Sequence, residues 1–199
     1  MRGSLPLALA TATALFATAP ASARPVVTPV AEVIDSADLR RDGERFRHVG
    51  SGYVFPSSLG DMPARKVTIF GPGDVAVEYT VKGGAADDAW VDIYAYPAAD
   101  DLTVAEAADD VAGAIIETFG ATTALVPAGM VKRADGLRSG WFDGRLGERS
   151  FKTGYYIVQR GKWLIKIRAT MPSPPTADVL TGTAAAIAAV NLGPLPPAR

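Results

Sequence analysis

The sequence predicts an α+β fold, an antiparallel β-sheet packed with two main helices. Three observations predict it. Several runs alternate apolar and polar residues, with glycine turns between them. Two other segments repeat their apolar residues at helical spacing. The order is strands, helix, strands, helix, and it lacks the regular βα alternation of a parallel sheet.

In chain order, residues 1–23 read as a signal peptide. Arg2 supplies a positive charge, Leu5 to Ala19 is apolar or small, and Ala21-Ser22-Ala23 is the small-x-small pattern a signal peptidase reads. The run falls short of the about 20 apolar residues that a membrane-spanning helix needs. No twin arginine is present, which points to general secretion. Cleavage after Ala23 is expected to release a periplasmic or secreted chain without a transmembrane segment.

Residues 24–45 read as an N-terminal arm or linker. A short helix is expected over Ala31 to Leu39, with Val30, Ile34 and Ala37 on one side, and the charged run Asp38 to Arg45 reads as solvated. Residues 46–192 read as a single α+β domain, and residues 193–199 as a Pro-rich tail.

Within the domain, Gly50 to Pro56 reads as a short strand closed by proline. Arg65 to Phe70 and Asp74 to Lys82 flank Gly71-Pro72-Gly73 as a hairpin. In its second arm Val75, Val77, Tyr79 and Val81 share one face, and Ala76, Glu78, Thr80 and Lys82 the other. Trp90 to Tyr96 is the next strand, with Val91, Ile93 and Ala95 as its core face. A helix follows. Thr103 and Glu106 form a T-x-x-E capping box, Val104, Ala108, Val111, Ile115 and Phe119 form its stripe, and Gly120 stops it.

Beyond the helix, Ala124 to Val131, Leu137 to Phe142, Ser150 to Arg160 and Lys162 to Met171 read as strands, the last two joined at Arg160-Gly161. A final Ala-rich helix spans Thr176 to Val190, with Leu180, Ala184 and Ile187 inward and Gly193 as its terminator.

Composition narrows the chemistry. The chain has 199 residues, 48% hydrophobic, with 20 basic and 21 acidic residues, one His and no Cys. The balanced charge speaks against a nucleic-acid partner. The missing Cys removes disulfides and thiolate metal sites. Gly71 to Ala76 fits G-x-G-x-x-A, but a strand follows and Pro72 lacks an amide donor, so it reads as a turn. His48 reads as a surface or sheet-edge residue, with Ser51 on the opposite face of the same strand. No G-x-S-x-G, S-x-x-K or H-E-x-x-H motif is present. The pairs Asp87-Asp88, Asp100-Asp101 and Asp109-Asp110 lack the spacing of a calcium loop. No catalytic set, no metal site and no cofactor is predicted.

The second face of the sheet gathers the remaining chemistry. Glu78, Thr80, Asp92, Tyr94, Tyr96, Lys166 and Arg168 lie opposite the core faces of their strands. Three arrangements fit this pattern. The first is a solvated face with cross-strand ion pairs. The second is a ligand-binding surface of Glu78, Asp92, Tyr94, Tyr96, Lys166 and Arg168, where rings stack and charges orient. In the third, the arm or a helix covers the face.

Phe55-Pro56, Leu59-Gly60, the Arg65 strand, Gly73-Asp74-Val75, Tyr79, Tyr94-x-Tyr96-Pro97 and the segment Trp163 to Thr170 resemble a family of uncharacterised exported bacterial proteins. The resemblance covers about Phe46 to Val190 and implies no activity. The element order is similar to Mog1/PsbP-like domains, which are α/β/α sandwiches serving as binding or assembly accessories. The resulting expectation is an exported, non-catalytic envelope domain that binds a protein or a small ligand. The alternative is a small exported hydrolase using carboxylate, Lys or Tyr chemistry.

Overall fold

The computed structural model describes residues 25–80, 89–127, 129–130 and 136–192. The leader 1–23, the tail 193–199, Gly193 and the pair Asp87-Asp88 lie outside the described residues. In chain order the strands are β1 (Val26–Pro29), β2 (Leu39–Asp42), β3 (Arg45–His48), β4 (Val54–Phe55), β5 (Ser58–Leu59), β6 (Met62–Gly71), β7 (Asp74–Thr80) and β8 (Trp90–Pro97). Helix α1 (Val104–Phe119) follows, then β9 (Thr122–Thr123), β10 (Arg138–Leu146), β11 (Arg149–Arg160), β12 (Trp163–Pro172) and helix α2 (Ala177–Ala189).

The fold is α+β. Its main sheet has nine strands in the order β1-β6-β7-β8-β12-β11-β10-β9, with β5 paired to β6. Every pairing is antiparallel. A small antiparallel sheet, β2-β3-β4, stands apart from it. Two-residue turns close the long hairpins, with Gly73 and Gly161 supplying the positive φ (72° and 59°) that L side chains rarely adopt. Strand β12 returns after α1 to pair with β8, which puts the chain's two halves side by side at the centre of the sheet.

The period-two alternation sorts the side chains. Val75, Val77, Tyr79, Val91, Ile93, Ala95, Ile165, Ile167 and Ala169 are buried on one face. Against them pack Val179, Ala186 and Ile187 of α2 and Leu39, Phe46 and Phe55 of the small sheet. On the opposite face Ala107, Ala108 and Ile115 of α1 pack on Phe142, Tyr155, Ile157 and Leu164. The two helices therefore cover opposite faces. Strand β11 is buried on both faces from Thr153 to Val158, because each face has its own cover.

Local chemistry fixes the helix ends. The Thr103 hydroxyl accepts from the Glu106 amide, and Glu106 accepts from the Thr103 amide, closing the expected box. Gly120 ends α1 in the left-handed region (φ 53°). Helix α2 is capped by Thr176, whose hydroxyl accepts from the Val179 amide. Its inward arc is Val179, Thr183, Ala186 and Ile187, with Leu180 and Ala184 only partly buried, a rotation from the expected stripe. Ala-rich sequence blurs the apolar side, so the phase of α2 is set by what it packs on.

Several expectations on the N-terminal side are corrected. Ala31 to Leu39 is not an α-helix. A three-residue 3-10 turn at Val30–Glu32 gives way to a turn in which Ser36 Oγ accepts from the Asp38 and Leu39 amides. Serine competes for backbone donors in this way and breaks weak helices. The run Asp38 to Arg45 is solvated from Arg40 to Arg45, as expected, but it is not a linker. It forms most of the β2–β3 hairpin, in which alternation buries Leu39 and Phe46 while the arginines face out. Gly50 to Pro56 is mainly a turn, with only Val54–Phe55 extended into a strand. After α1 the strand is Thr122–Thr123, and Ala124 to Pro127 is irregular.

Candidate functional site

The register of β6, β7, β8, β12 and β11 lays the second face out in rows. One row runs Lys66, Glu78, Asp92, Arg168, Tyr155. The next runs Ala76, Tyr94, Lys166, Ile157. Tyr96 stands opposite Leu164 in a third. All six predicted ligand-binding residues therefore share one continuous face, because each sits at an even step from its strand neighbours.

Contacts across these rows are close. Lys66 Nζ and Glu78 Oε2 form an ion pair at 2.6 Å. Lys166 Nζ lies 4.0 Å from the Tyr94 ring centroid and 5.4 Å from that of Tyr96, an arrangement in which aromatic faces attract a cation. Arg168 Cζ lies 4.9 Å over Phe119 of α1, and its Nε donates to Thr153 Oγ1 at 3.5 Å. Phe70 of β6 stacks on Tyr94 with centroids 6.2 Å apart.

Helix α1 covers only the β10–β12 half of this face. Where its edge meets β8 and β12 it leaves an open groove of about 250 Å³. The groove's apolar lining includes Val111 and Ile115 on the helix and Leu164 on the sheet. Its polar lining includes Tyr96, Lys166 and Arg168 from the sheet and Asp110 from the helix. Of the predicted residues, Tyr96, Lys166 and Arg168 thus reach the groove. Glu78, Asp92 and Tyr94 continue the same face beside it.

Burial and neighbouring charges shift the ionisations. Burial pushes the Asp92 carboxyl up to about 7, and Glu78 opposite it adds to the effect, against the pull of Arg168, Lys66 and Lys166. Burial brings the Lys166 ammonium down to about 8, and Arg168 lowers it further, partly offset by Asp74 and Asp92. The Tyr96 phenol is pushed up to about 12 by burial and by the carboxylates of Asp74 and Asp110. Burial and Asp92 hold Tyr94 well above the ordinary phenol range. Both tyrosines stay protonated at physiological pH.

The sequence places Asp110 only in an acidic pair and Phe119 only in the α1 stripe, and it gives Lys66 and Phe70 no role at this face. The β6 alternation Lys66, Thr68, Phe70 carried a signal for that face. The contribution of Asp110 and Phe119 depends on where α1 docks, which no local pattern encodes.

His48 corrects the surface assignment. It is 0% exposed, its Nδ1 lies 2.7 Å from Ser51 Oγ, and its Nε2 lies 3.1 Å from the Gly73 carbonyl. Strand β3 ends at His48, so a turn, not a strand, carries Ser51 back to the ring. Nδ1 also accepts the Ser51 amide at 3.1 Å, which assigns the proton to Nε2 as donor to Gly73. The pair looks like a hydrolytic dyad but is closed off, with Ser51 3% exposed and Trp163 edge-on to the imidazole at 4.8 Å. Desolvation lowers the His48 value, against the Gly73 carbonyl and Asp38, so the ring is a neutral clamp between two turns.

Among the described residues, no three His, Asp or Glu side chains are placed to hold one metal ion. No described helix is long and apolar enough to cross a membrane. No family model, curated protein or solved structure matches the chain. The resemblance to exported bacterial proteins and to Mog1/PsbP-like domains has no counterpart in these comparisons, and the functional argument rests on the groove.

Proposed function

We propose that this is an exported, non-catalytic domain of the cell envelope that holds a small ligand in the groove between α1 and the sheet. One observation carries the reading. The groove combines an apolar wall of Val111, Ile115 and Leu164 with two half-buried cations, Lys166 and Arg168, at one edge. An apolar body beside a few convergent polar groups is the usual composition of a small-molecule site. Export is supported by the leader's charge, apolar run and Ala21-Ser22-Ala23 site. The experiment is a fragment screen on the ¹⁵N-labelled mature chain. Compounds that shift the amides of Val111, Ile115 and Leu164, and that lose this effect in a folded Lys166→Gln variant, support the reading. Compounds that shift only other regions, or none at all, contradict it.

A second reading, a small exported hydrolase, is favoured by the near-neutral carboxyl of Asp92 facing Glu78 across two strands. Turnover on a panel of esters, amides and glycosides that is lost in Asp92→Asn would put that reading first.

A further inference from the structure

We infer that the groove takes a small monoanion together with a proton, and that Asp92 holds the proton; this rests on the groove reading above. The geometry is a cross-strand row of four charges, Lys66, Glu78, Asp92 and Arg168. Glu78 is engaged by Lys66 at 2.6 Å. Asp92 therefore faces a carboxylate on one side and a guanidinium on the other. Burial first, and then the carboxylate of Glu78 directly opposite on the neighbouring strand, disfavour the charged form of Asp92, so the proton settles there.

Arg168 rests on Phe119 of α1, donates to the neutral Thr153 hydroxyl and is hydrogen-bonded to the Tyr94 side chain. Lys166, two residues earlier on the same face, rests on Tyr94 and Tyr96. Among the described residues neither cation lies within 4.0 Å of a carboxylate. Two like charges side by side at the edge of an apolar recess repel each other, and an anion between them relieves that repulsion. When Asp92 is neutral, the charge of Arg168 is left to the ligand. When Asp92 is ionised, its charge competes with the ligand for both cations.

The other charged groups set the ligand's size and charge. Asp74, close enough to act on Lys166 and Tyr96, and Asp110, on the α1 wall, are further acids at the groove. They limit the positive field, which favours one negative charge over several. Tyr94, Tyr96 and Tyr155 have their phenols raised and stay neutral. A volume of about 250 Å³ lies below the roughly 300–1,000 Å³ of drug-sized sites. The ligand class is a compact monocarboxylate or similar monoanion with an apolar body.

The pH dependence follows. With Asp92 titrating at about 7, the competent fraction falls about tenfold from pH 6 to pH 8, and apparent affinity falls with it. Deprotonation of Lys166 at about 8 adds a second loss that begins at the top of that range and continues above it.

The test titrates benzoate, with neutral benzamide as control, into the mature chain from pH 6 to pH 8 while ¹³C NMR follows the Asp92 carboxyl. The expected result is benzoate binding that weakens about tenfold across the range, little benzamide binding, and an Asp92 titration near neutrality. Asp92→Asn is expected to hold the tight form up to pH 7.5, and Glu78→Gln to move the midpoint to lower pH. Benzoate binding without pH dependence, or Asp92 titrating in the ordinary carboxylate range, overturns the proton coupling and leaves the groove reading standing. Equal binding of benzamide overturns the anion class. Groove-binding fragments without benzoate binding overturn this inference alone, whereas no groove binder of any kind overturns both.

Discussion

His48 and Asp92 show how burial, the largest cause in each, moves side-chain ionisation in opposite directions. Each loses water on folding, and each disfavours its charged form. For His48 the folded value is lowered, so between that value and about 6.5 the unfolded chain binds more protons than the native one. Its contribution to stability is complete above about pH 6.5 and is lost as pH falls below it. For Asp92 the folded value is raised, so the native state binds more protons, and stability falls as pH rises from about 4 through about 7. The expected outcome of a ring-proton NMR titration is that the His48 C–H resonances move with a midpoint below about 6.5. Movement centred at or above 6.5 contradicts the buried, Nε2-protonated assignment. Neither residue's state was legible in sequence. His48 sits in an ordinary-looking strand end, and its burial arises from the turn that brings Ser51 and Gly73 around it.

At the scale of elements, local signals read well wherever one principle acted alone. The capping box of α1, its Gly120 stop and the Pro72–Gly73 hairpin stand as the residues implied. Thr103→Ala removes the cap at an exposed helix start. It is expected to cost about 1 kcal/mol, read as a fall of about 2–4 °C in Tm for a chain of this size. An unchanged Tm would mean that α1 is held by packing alone. Elements misread from sequence are those where two tendencies compete. Ala31 to Leu39 has a faint helical stripe, but Ser36 captures the amides that a helix would use. Asp38 to Arg45 carries enough charge to look like a linker, yet Leu39 and Phe46 are spaced to share a face once a turn at Gly43 (φ 63°) pairs the strands.

For the whole molecule, alternation foretold the two faces of β7, β8 and β12, including all six candidate residues on one face. What it could not foretell is the docking of α1 across only half of that face. That placement is a matter of tertiary packing, Ala107, Ala108 and Ile115 settling on Phe142, Tyr155, Ile157 and Leu164. It converts a flat polar surface into a groove with one helical wall. Ala114 stands exposed on that wall and lines the groove without joining the α1 core. Filling the groove from this position separates binding from folding. The most direct measurement is therefore a benzoate titration at pH 6 of Ala114→Phe against the unmodified chain, with Tm recorded for both. The groove account expects an unchanged Tm and at least a tenfold loss of affinity, about 1.4 kcal/mol. Equal affinity in the two proteins would show that the groove between α1 and the sheet is not where the ligand sits.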